Sequence, residues 1–420
     1  MLKKYVLFNL MLISAFGFAQ DKKSEVQIPS PLTESKKLNK SVKEISRQLK
    51  DHTVVGLGEG THGTKEFNEI RSEISKNLID KNNFRIVAFE SAYGDAAFLN
   101  DMVNSDTDLK AALKNYMTSI WQTKEIEDLL VWIRAYNKDH KDKVVISGFD
   151  TNELENSARI LEKSDIKEGQ YSELAGELKK KAVFQDEMWK KQNDPSFKLD
   201  MKAVIQNGTE GYKLAKRMDS IYGNRLGRDS ELALYNLQLG FEIPYEAGKK
   251  NYDVSRDRIM ADMIKKIQSG YQKKMILFAH NGHIALRPVI VDGMGGYLQE
   301  TYKKGYFALA TLTASGTYSA TKDPRAVKNN QYASYPLPEL LVNSWEEKLN
   351  QNSFENYFVN FQKDQTGFYS NSLKARFVGY GPITPATEKF TITEPLKLNE
   401  CFDGLIFIKK SMAAEHLSDS

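Results

Sequence analysis

The chain has 420 residues, of which 41% are hydrophobic and 27% are charged, and its formal net charge is +4. These values are ordinary for a globular protein with a large core, and they exclude the strongly basic surface typical of a nucleic-acid-binding protein. Cys401 is the single cysteine, so no intramolecular disulfide can form. We therefore expect no nucleic-acid partner and a fold that is stabilised by its core alone.

The first residues have the composition of a secretory signal peptide. Lys3 and Lys4 precede an apolar stretch over residues 5–18, and small residues follow up to Ala19. The apolar stretch is shorter than the roughly 20 residues that span a bilayer. We expect residues 1–19 to be a cleaved signal peptide, the mature protein to be periplasmic or secreted, and no stable membrane association to remain. Residues 20–40 are polar and are expected to form an exposed lead-in.

Short apolar segments alternate with helical stretches along much of the chain. The strands predicted from apolar and β-branched runs are 53–57, 84–89, 144–146, 275–279, 306–312 and 405–408. The helices predicted from apolar residues at helical spacing in the first part are 41–49, 64–81 and 126–136. Two segments are rich in loop-forming residues, 320–338 and 362–385.

This alternation predicts the fold class. Strands connected through helices form parallel sheets, so we expect an α/β fold with a largely parallel central sheet flanked by helices. The α/β core is expected to comprise residues 41–150 and 271–412. Residues 151–270 show Lys- and Glu-rich helical patterns without a convincing strand, which predicts a mostly helical inserted subdomain.

Ionisable residues stand where four of the predicted strands end. In chain order they are Glu59 with His62, then Glu90, then Asp150, and finally His280, Asn281 and His283. Ligands of open α/β sheets bind beyond the carboxyl ends of the strands, so these side chains are expected to share one rim. Three of the six histidines, His62, His280 and His283, lie in two glycine-containing turns, residues 58–63 and 280–283. A histidine in a turn is often only a structural residue, but three on one rim favour an active site.

Two arginines, Arg71 and Arg256, interrupt apolar stripes of predicted helices. Arg71 continues the spacing of Phe67, Ile74 and Leu78, and Arg256 precedes Met260 at the same kind of spacing. Arginine is seldom fully buried unless it is paired, so each is expected to face a carboxylate or an anionic reaction centre. The alternative is that both stripes reach the surface and the guanidinium groups extend into water.

Several other functions compete for the same residues. Residues 58–63 also spell G-x-G-x-x-G, but Glu59 would place a carboxylate in the loop that receives a pyrophosphate. A metal site is an alternative because the rim holds nitrogen and oxygen ligands, although the H-E-x-x-H motif is absent. No G-x-S-x-G elbow occurs, so water activated by histidine is the expected nucleophile. An exported ligand-binding protein is the non-enzymatic alternative.

The motifs on this rim resemble those of the erythromycin esterase family. Residues 58–67 resemble the G-E-x-T-H-G-x-x-E-F signature of that family, with glycine at position 60 where alanine or serine is commoner. The further segments that resemble family blocks are 88–90, 255–261 and 279–283. The resemblance implies an α/β core with inserted helices and a deep cleft. It also implies hydrolysis of the lactone ester of 14-membered macrolide antibiotics, and hence macrolide resistance.

The resemblance also implies which residues act. The family's essential glutamate and histidine match Glu59 and His62, its second glutamate matches Glu90, and its helix arginine matches Arg71. Its distal histidine falls on the 280–283 turn, where we favour His280. The residues expected to bind substrate or support the site are Glu66, Asp150, Arg256, Asn281 and His283. We expect no cofactor and a small-molecule macrolide as the binding partner.

The expected mechanism is general-base catalysis by His62. Histidine titrates near neutral pH and suits proton removal from an attacking water. Glu59 is expected to hold the imidazole as the carboxylate of a triad does. Glu90 is expected to orient the water or to receive a second proton. His280 is expected to donate to the leaving alkoxide or to stabilise the oxyanion.

Overall fold

The computed structural model describes residues 25–249 and 254–418. The expected signal peptide, residues 1–19, lies outside the described residues. Within the described ranges, none of the helices combines the length and the apolar character needed to cross a membrane.

The strands and helices follow the expected alternation. The strands are β1 (Glu25–Ile28), β2 (Val54–Glu59), β3 (Phe84–Ala92), β4 (Val145–Asp150), β5 (Lys274–His280), β6 (Tyr306–Ala320), β7 (Ala333–Pro336), β8 (Asn356–Asn360) and β9 (Gly404–Ser411). The helices up to β4 are α1 (Ser35–Leu49), α2 (Lys65–Asn82), α3 (Tyr93–Val103), α4 (Leu109–Tyr116) and α5 (Lys124–Asp139). Those that follow are α6 (Glu155–Glu162), α7 (Gly169–Lys191), α8 (Met201–Tyr222), α9 (Arg228–Ala247), α10 (Arg256–Tyr271), α11 (Asn281–Ile284), α12 (Met294–Tyr302), α13 (Trp345–Leu349) and α14 (Leu398–Cys401).

These strands form one nine-stranded sheet in the order β1-β8-β9-β6-β2-β5-β3-β4, with β7 paired to β6 outside this path. The pairs β6–β9, β2–β6, β2–β5, β3–β5 and β3–β4 are parallel. The pairs β1–β8, β8–β9 and β6–β7 are antiparallel. The predicted α/β fold with a largely parallel central sheet flanked by helices is therefore confirmed.

The register of the central strands brings the predicted site residues to one edge. Glu59 at the end of β2 pairs with His280 at the end of β5. In the β3–β4 pair, Phe89 is opposite Gly148 and Ala92 is opposite Asp150, so β3 contains an extra residue between these points. Such a bulge bends a strand and redirects a side chain, and here it lies at Glu90.

The sheet separates two hydrophobic cores. Successive residues of β2 point to opposite faces: Val54 packs in the core on the side of α6–α12, and Val55 in the core on the side of α1–α5. Helix α1 places Leu38, Val42 and Ile45 on one buried face, at the spacing expected for an amphipathic helix.

The segment between β4 and β5 forms the helices α6–α10, without a strand among its described residues. These helices do not form an isolated core. Leu178 of α7, Leu237 of α9 and Met260 of α10 belong to the same buried cluster as Ile86 and Leu277 of the sheet. The helical segment therefore covers one face of the sheet.

The prediction of an exposed lead-in over residues 20–40 is wrong for two segments. Residues 25–28 form β1 and pair with β8, and α1 begins at Ser35 rather than at position 41. A four-residue strand carries too little alternation to be recognised, and its partner lies more than three hundred residues away in sequence. Strands β7 and β8 are also too short to be recognised, with four and five residues. The segment 320–338, which contains β7, is predicted to be loop, and no strand is predicted at β8.

Candidate active site

The carboxyl ends of β2, β5, β3 and β4 lie side by side, and the residues expected to be catalytic lie at these ends or, for Arg71, on the adjoining helix α2. These residues are almost completely buried, with relative exposures of 1% for Glu59, 5% for His62, 1% for Arg71, 7% for Glu90 and 4% for His280. Buried ionisable groups are stable only when they are paired or hydrogen-bonded. The partners of each group therefore define what it can do.

Glu59, His62 and Arg71 form the first group. His62 Nδ1 donates to Glu59 Oε1 at 2.5 Å, and Arg71 Nη2 donates to Glu59 Oε2 at 2.8 Å. With its proton on Nδ1, the neutral imidazole keeps a lone pair on Nε2. The arrangement orients His62 through a carboxylate whose own charge is balanced by a guanidinium.

Arg71 points inward from α2, as the interrupted apolar stripe predicted. Its Nε donates to Phe67 O at 3.1 Å and its Nη1 to Leu57 O at 3.3 Å. The guanidinium carbon lies 5.3 Å from the ring centroid of Trp121 and 5.0 Å from that of Phe278. The alternative of an arginine extending into water is therefore wrong for Arg71.

The loop that carries His62 is tightly packed. His62 N donates to Val378 O at 3.0 Å, and Val378 N donates to Gly60 O at 2.7 Å. A Cβ atom at Gly60 would lie 2.5 Å from the main-chain oxygen of Thr311, and a main chain cannot move as a side chain can. Glycine at position 60, the departure from the family signature, is therefore required by close packing in this chain.

Glu90 is the centre of a second group. Its Oε1 accepts from Arg256 Nη2 at 3.0 Å and lies 3.1 Å from His283 Nε2, and its Oε2 accepts from the main-chain N–H of His280 at 3.1 Å. Arg256 also binds both carboxylate oxygens of Asp150. Burial opposes ionisation, but His283 and Arg256 hold the pKa of Glu90 well below its usual range. Glu90 is therefore ionised at neutral pH, and its carboxylate links Arg256, His283 and the main chain of His280.

His283 lies between two carboxylates. Its Nδ1 is 2.7 Å from Asp257 Oδ1, and its Nε2 faces Glu90. Burial and the nearby Arg256 disfavour a charged ring, but the two carboxylates outweigh them and raise the pKa of His283 to about 9. Arg256 Nη1 also lies 3.2 Å from Nε2, so both ring nitrogens have partners and neither is free for chemistry.

His280 lies between the two groups and differs from its neighbour. Its ring centroid is 4.9 Å from that of His62 and 6.4 Å from that of His283. Burial, followed by the proximity of those two histidines, lowers the pKa of His280 well below its usual value. Its Nδ1 accepts from Gly282 N at 3.2 Å, which places the proton of the neutral ring on Nε2. Among the described residues, this buried Nε2 makes no hydrogen bond of normal geometry, and the nearby main chain of Gly60 opposes only a small part of the lowering of the pKa.

Two predicted supporting residues face away from this centre. Asn281 Nδ2 donates to Thr311 O at 2.8 Å, which joins the turn after β5 to β6. Glu66 Oε2 accepts from Met412 N at 2.8 Å at the start of α2. Both side chains therefore hold the framework of the site and do not face the reaction centre.

The sequence interpretation missed two residues of the site. Trp121 donates from Nε1 to Glu90 O at 3.0 Å, and its ring lies edge-on to His62 with centroids 6.1 Å apart. No local pattern distinguishes this tryptophan. Asp257 directly follows Arg256 in the segment 255–261, which resembles a family block. That position could have indicated Asp257 as a site residue, and in the structure it bonds to His283.

Arg256 is the most solvent-exposed of the charged groups that surround Glu90. Its side chain is 35% exposed, whereas those of its partners Glu90 and Asp150 are 7% and 2% exposed. Within residues 25–249 and 254–418, no group of three or more His, Cys, Asp and Glu side chains has an arrangement that could hold a metal ion.

Known proteins resemble this chain over most of its length. The erythromycin esterase family model matches residues 79–411, which include Glu90, Arg256 and the 280–283 turn, whereas the 58–67 motif precedes the match. The hydrolase-named protein YbfO of Bacillus subtilis (strain 168) is 24% identical over 93% of this chain and 89% of its own. Erythromycin esterase type II of Escherichia coli is 24% identical over 89% of this chain and 93% of its own.

Solved structures share the fold. A succinoglycan biosynthesis protein superposes with a TM-score of 0.78 at 16% identity, covering 96% of this chain and 98% of that chain. An erythromycin esterase mutant in its open conformation superposes with a TM-score of 0.62 at 16% identity, covering 90% and 96%. Fold, site and relatives together define a hydrolase built on a mixed α/β sheet. The chain belongs to the erythromycin esterase family.

The charged state of His283 makes stability depend on alkaline pH. The pKa of His283 is raised to about 9 in the folded protein, above the value of about 6.5 for an unfolded chain. The stability that its ion pairs contribute is therefore complete below the unfolded pKa and is lost as pH rises through the folded one. We expect the melting temperature to fall between about pH 7 and pH 9.5, and His283→Gln to flatten that decline. Equal slopes in the two proteins would contradict the assignment.

Proposed function

We propose that this hydrolase opens the lactone ester of 14-membered macrolides with a water molecule activated by His62, and so confers macrolide resistance. The observation that carries the proposal is that two histidines lie side by side, one held in position to act as a base and the other able to donate a hydrogen bond. His62 is held through Nδ1 by Glu59, and the neutral His280 lies beside it with a buried Nε2–H that makes no hydrogen bond of normal geometry among the described residues. Membership of the family and the name of the Escherichia coli relative support the choice of substrate.

The proposed reaction proceeds in two steps. In the first, His62 Nε2 removes a proton as the water oxygen attacks the lactone carbonyl carbon, and His280 Nε2–H donates a hydrogen bond to the resulting oxyanion. In the second, the carbonyl re-forms, the ring C–O bond breaks, and His62 returns the proton to the leaving alkoxide. One water is consumed, and the product is an open-chain hydroxy acid.

The remaining charged groups support these steps. Glu59 stabilises the imidazolium that forms on His62, as a triad carboxylate does, and Arg71 holds Glu59 in place. Both oxygens of Glu90 already accept hydrogen bonds or face His283, so we propose that Glu90 orients the 280–283 turn and does not take a proton.

The experiment that tests the function is direct. The mature protein is incubated with a 14-membered macrolide in water enriched in oxygen-18, with and without a chelator, and the product is analysed by mass spectrometry. The expected product is heavier by one water and carries the label in its new carboxylate. If the activity disappears with the chelator, the hydrolysis depends on a metal ion and the mechanism with histidine-activated water is wrong. An unchanged macrolide in every condition would overturn the macrolide assignment.

A second candidate is hydrolysis of another ester or lactone by the same residues. It is favoured by the burial of the proposed reacting groups, since His62 is 5% exposed and His280 is 4% exposed, which suits a small substrate better than a large macrolide. A panel of small aryl esters and lactones, assayed beside the macrolide, distinguishes the two. Turnover of the panel without the macrolide would favour this candidate.

A further inference from the structure

The last described residues of the chain contact the loop that carries His62. Beyond β9, residues 412–417, here called the strap, run along the N-terminal end of α2 and reach α5. Lys65 N donates to Met412 O at 2.9 Å, and Met412 N donates to the carboxylate of Glu66 at 2.8 Å. These bonds join the strap to the helix that begins directly after the catalytic loop, residues 60–64.

The strap also bonds to the residues that follow His62 and Trp121 in the chain. The two bonds are Ala414 N to Gly63 O at 2.8 Å and Leu417 N to Gln122 O at 2.9 Å. Gly63 has a φ of +72°, a left-handed conformation that glycine adopts at little cost. The bond from the strap to its carbonyl therefore adds to the contacts that hold the loop next to His62.

His416 makes the side-chain contacts of the strap. Its Nε2 lies 2.8 Å from Ser319 Oγ, and Ser319 Oγ lies 3.2 Å from Gly63 O. The imidazole stacks on the ring of Tyr332 with centroids 3.9 Å apart and planes at 8°. The hydroxyl of Tyr332 is 3.1 Å from Ser119 Oγ, in the turn that leads to Trp121. His416 thus connects both sides of the pocket around His62.

We infer that the strap is a positioning element of the active site and that His416 is a positioning residue for His62. The inference rests on the proposed role of His62 as the base. Catalysis by a positioned base is sensitive to geometry, and a displacement of about 1 Å can cost about a hundredfold in rate. The strap contacts the segments that hold His62 and not the proposed reacting atoms themselves, so its loss is expected to lower kcat and to leave KM nearly unchanged.

The test compares two truncations and two substitutions in the full chain. Removal of residues 412–420 is expected to lower kcat about a hundredfold, whereas removal of residues 418–420 keeps the strap and is expected to change nothing. His416→Phe keeps the ring stacking and loses the bond to Ser319, and it is expected to lower kcat about tenfold with KM within about twofold. His416→Gln restores a side chain that can bond Ser319 and is expected to recover most of that loss.

A second measurement does not depend on the substrate. The imidazole resonances of His62 are followed by NMR through a pH titration in the wild type, His416→Phe and His416→Gln, and a shifted titration is expected in the phenylalanine variant alone. If the chain without residues 412–420 does not fold, the inference is tested by the two substitutions of His416 alone. Wild-type kcat in His416→Phe, or a change confined to KM, would overturn the inference. If the wild type opens no macrolide, the proposed function fails, and an unchanged His62 titration in His416→Phe overturns the inference separately.

Discussion

Replacing His62 by alanine is expected to lower kcat for macrolide opening by a factor of about 10² to 10⁴, the usual contribution of a general base. The expectation rests on the hydrogen bond of 2.5 Å between His62 Nδ1 and Glu59 Oε1, which directs Nε2 to the reaction centre beside His280. The measurement is steady-state kinetics with product detection by mass spectrometry. Glu59 keeps its ion pair with Arg71 in this variant, so the protein is expected to fold, with a melting temperature lowered by the loss of the bond to Glu59 Oε1.

The matched control for His62→Ala is a histidine far from the rim. His140 directly follows α5, bonds to Tyr136 O and stacks on the ring of Tyr136. His140→Ala is expected to leave kcat unchanged. Near-normal turnover in His62→Ala, with the same substrate and the same purity, would exclude His62 as the base and would direct attention to His280.

Replacing Arg71 by methionine is expected to destabilise the fold by about 3–5 kcal/mol, the usual cost of leaving one charge of a buried pair without its partner. Both side chains of the Arg71–Glu59 pair are 1% exposed, so water cannot replace the lost guanidinium. Asn68 Oδ1 and two main-chain carbonyls would also lose their donor. The measurement is urea unfolding, read from the midpoint and the slope.

Two further variants identify the cause of that loss. In the double variant Glu59→Gln with Arg71→Met neither member of the pair is charged, so most of the stability is expected to return while activity stays low. Arg47→Met breaks an exposed pair with Glu44, in which the side chains are 68% and 40% exposed. That change is expected to cost at most about 1 kcal/mol. A similarly small cost for Arg71→Met would show that the buried pair is not required for stability.

Much of the site was predictable because it depends on local patterns. Apolar runs located β2 to β6 and β9, and alternation with helices implied parallel pairing, so residues at successive strand ends had to meet on one rim. Glu59, Glu90, Asp150 and His280 were found in this way. The inward direction of Arg71 followed from the helical spacing of Phe67 and its neighbours.

Other features depended on contacts that no local pattern contains. His280 and His283 are three residues apart in the same turn. Two carboxylates keep His283 charged, whereas burial and the two neighbouring histidines keep His280 neutral. Strand β1 at the edge of the sheet and its neighbour β8 are short, and they pair across more than three hundred residues of chain.

The sequence by itself therefore determined the central strands, the parallel centre of the sheet and the rim that carries the site. The tertiary structure alone decided the partners: Trp121 against His62, Asp257 on His283, and the strap on the catalytic loop. The physical reason is the range of the interactions. The period of a helix or strand is set by neighbouring residues and can be read along the chain. The environment and charge of a buried group are set by whatever packs against it from distant segments.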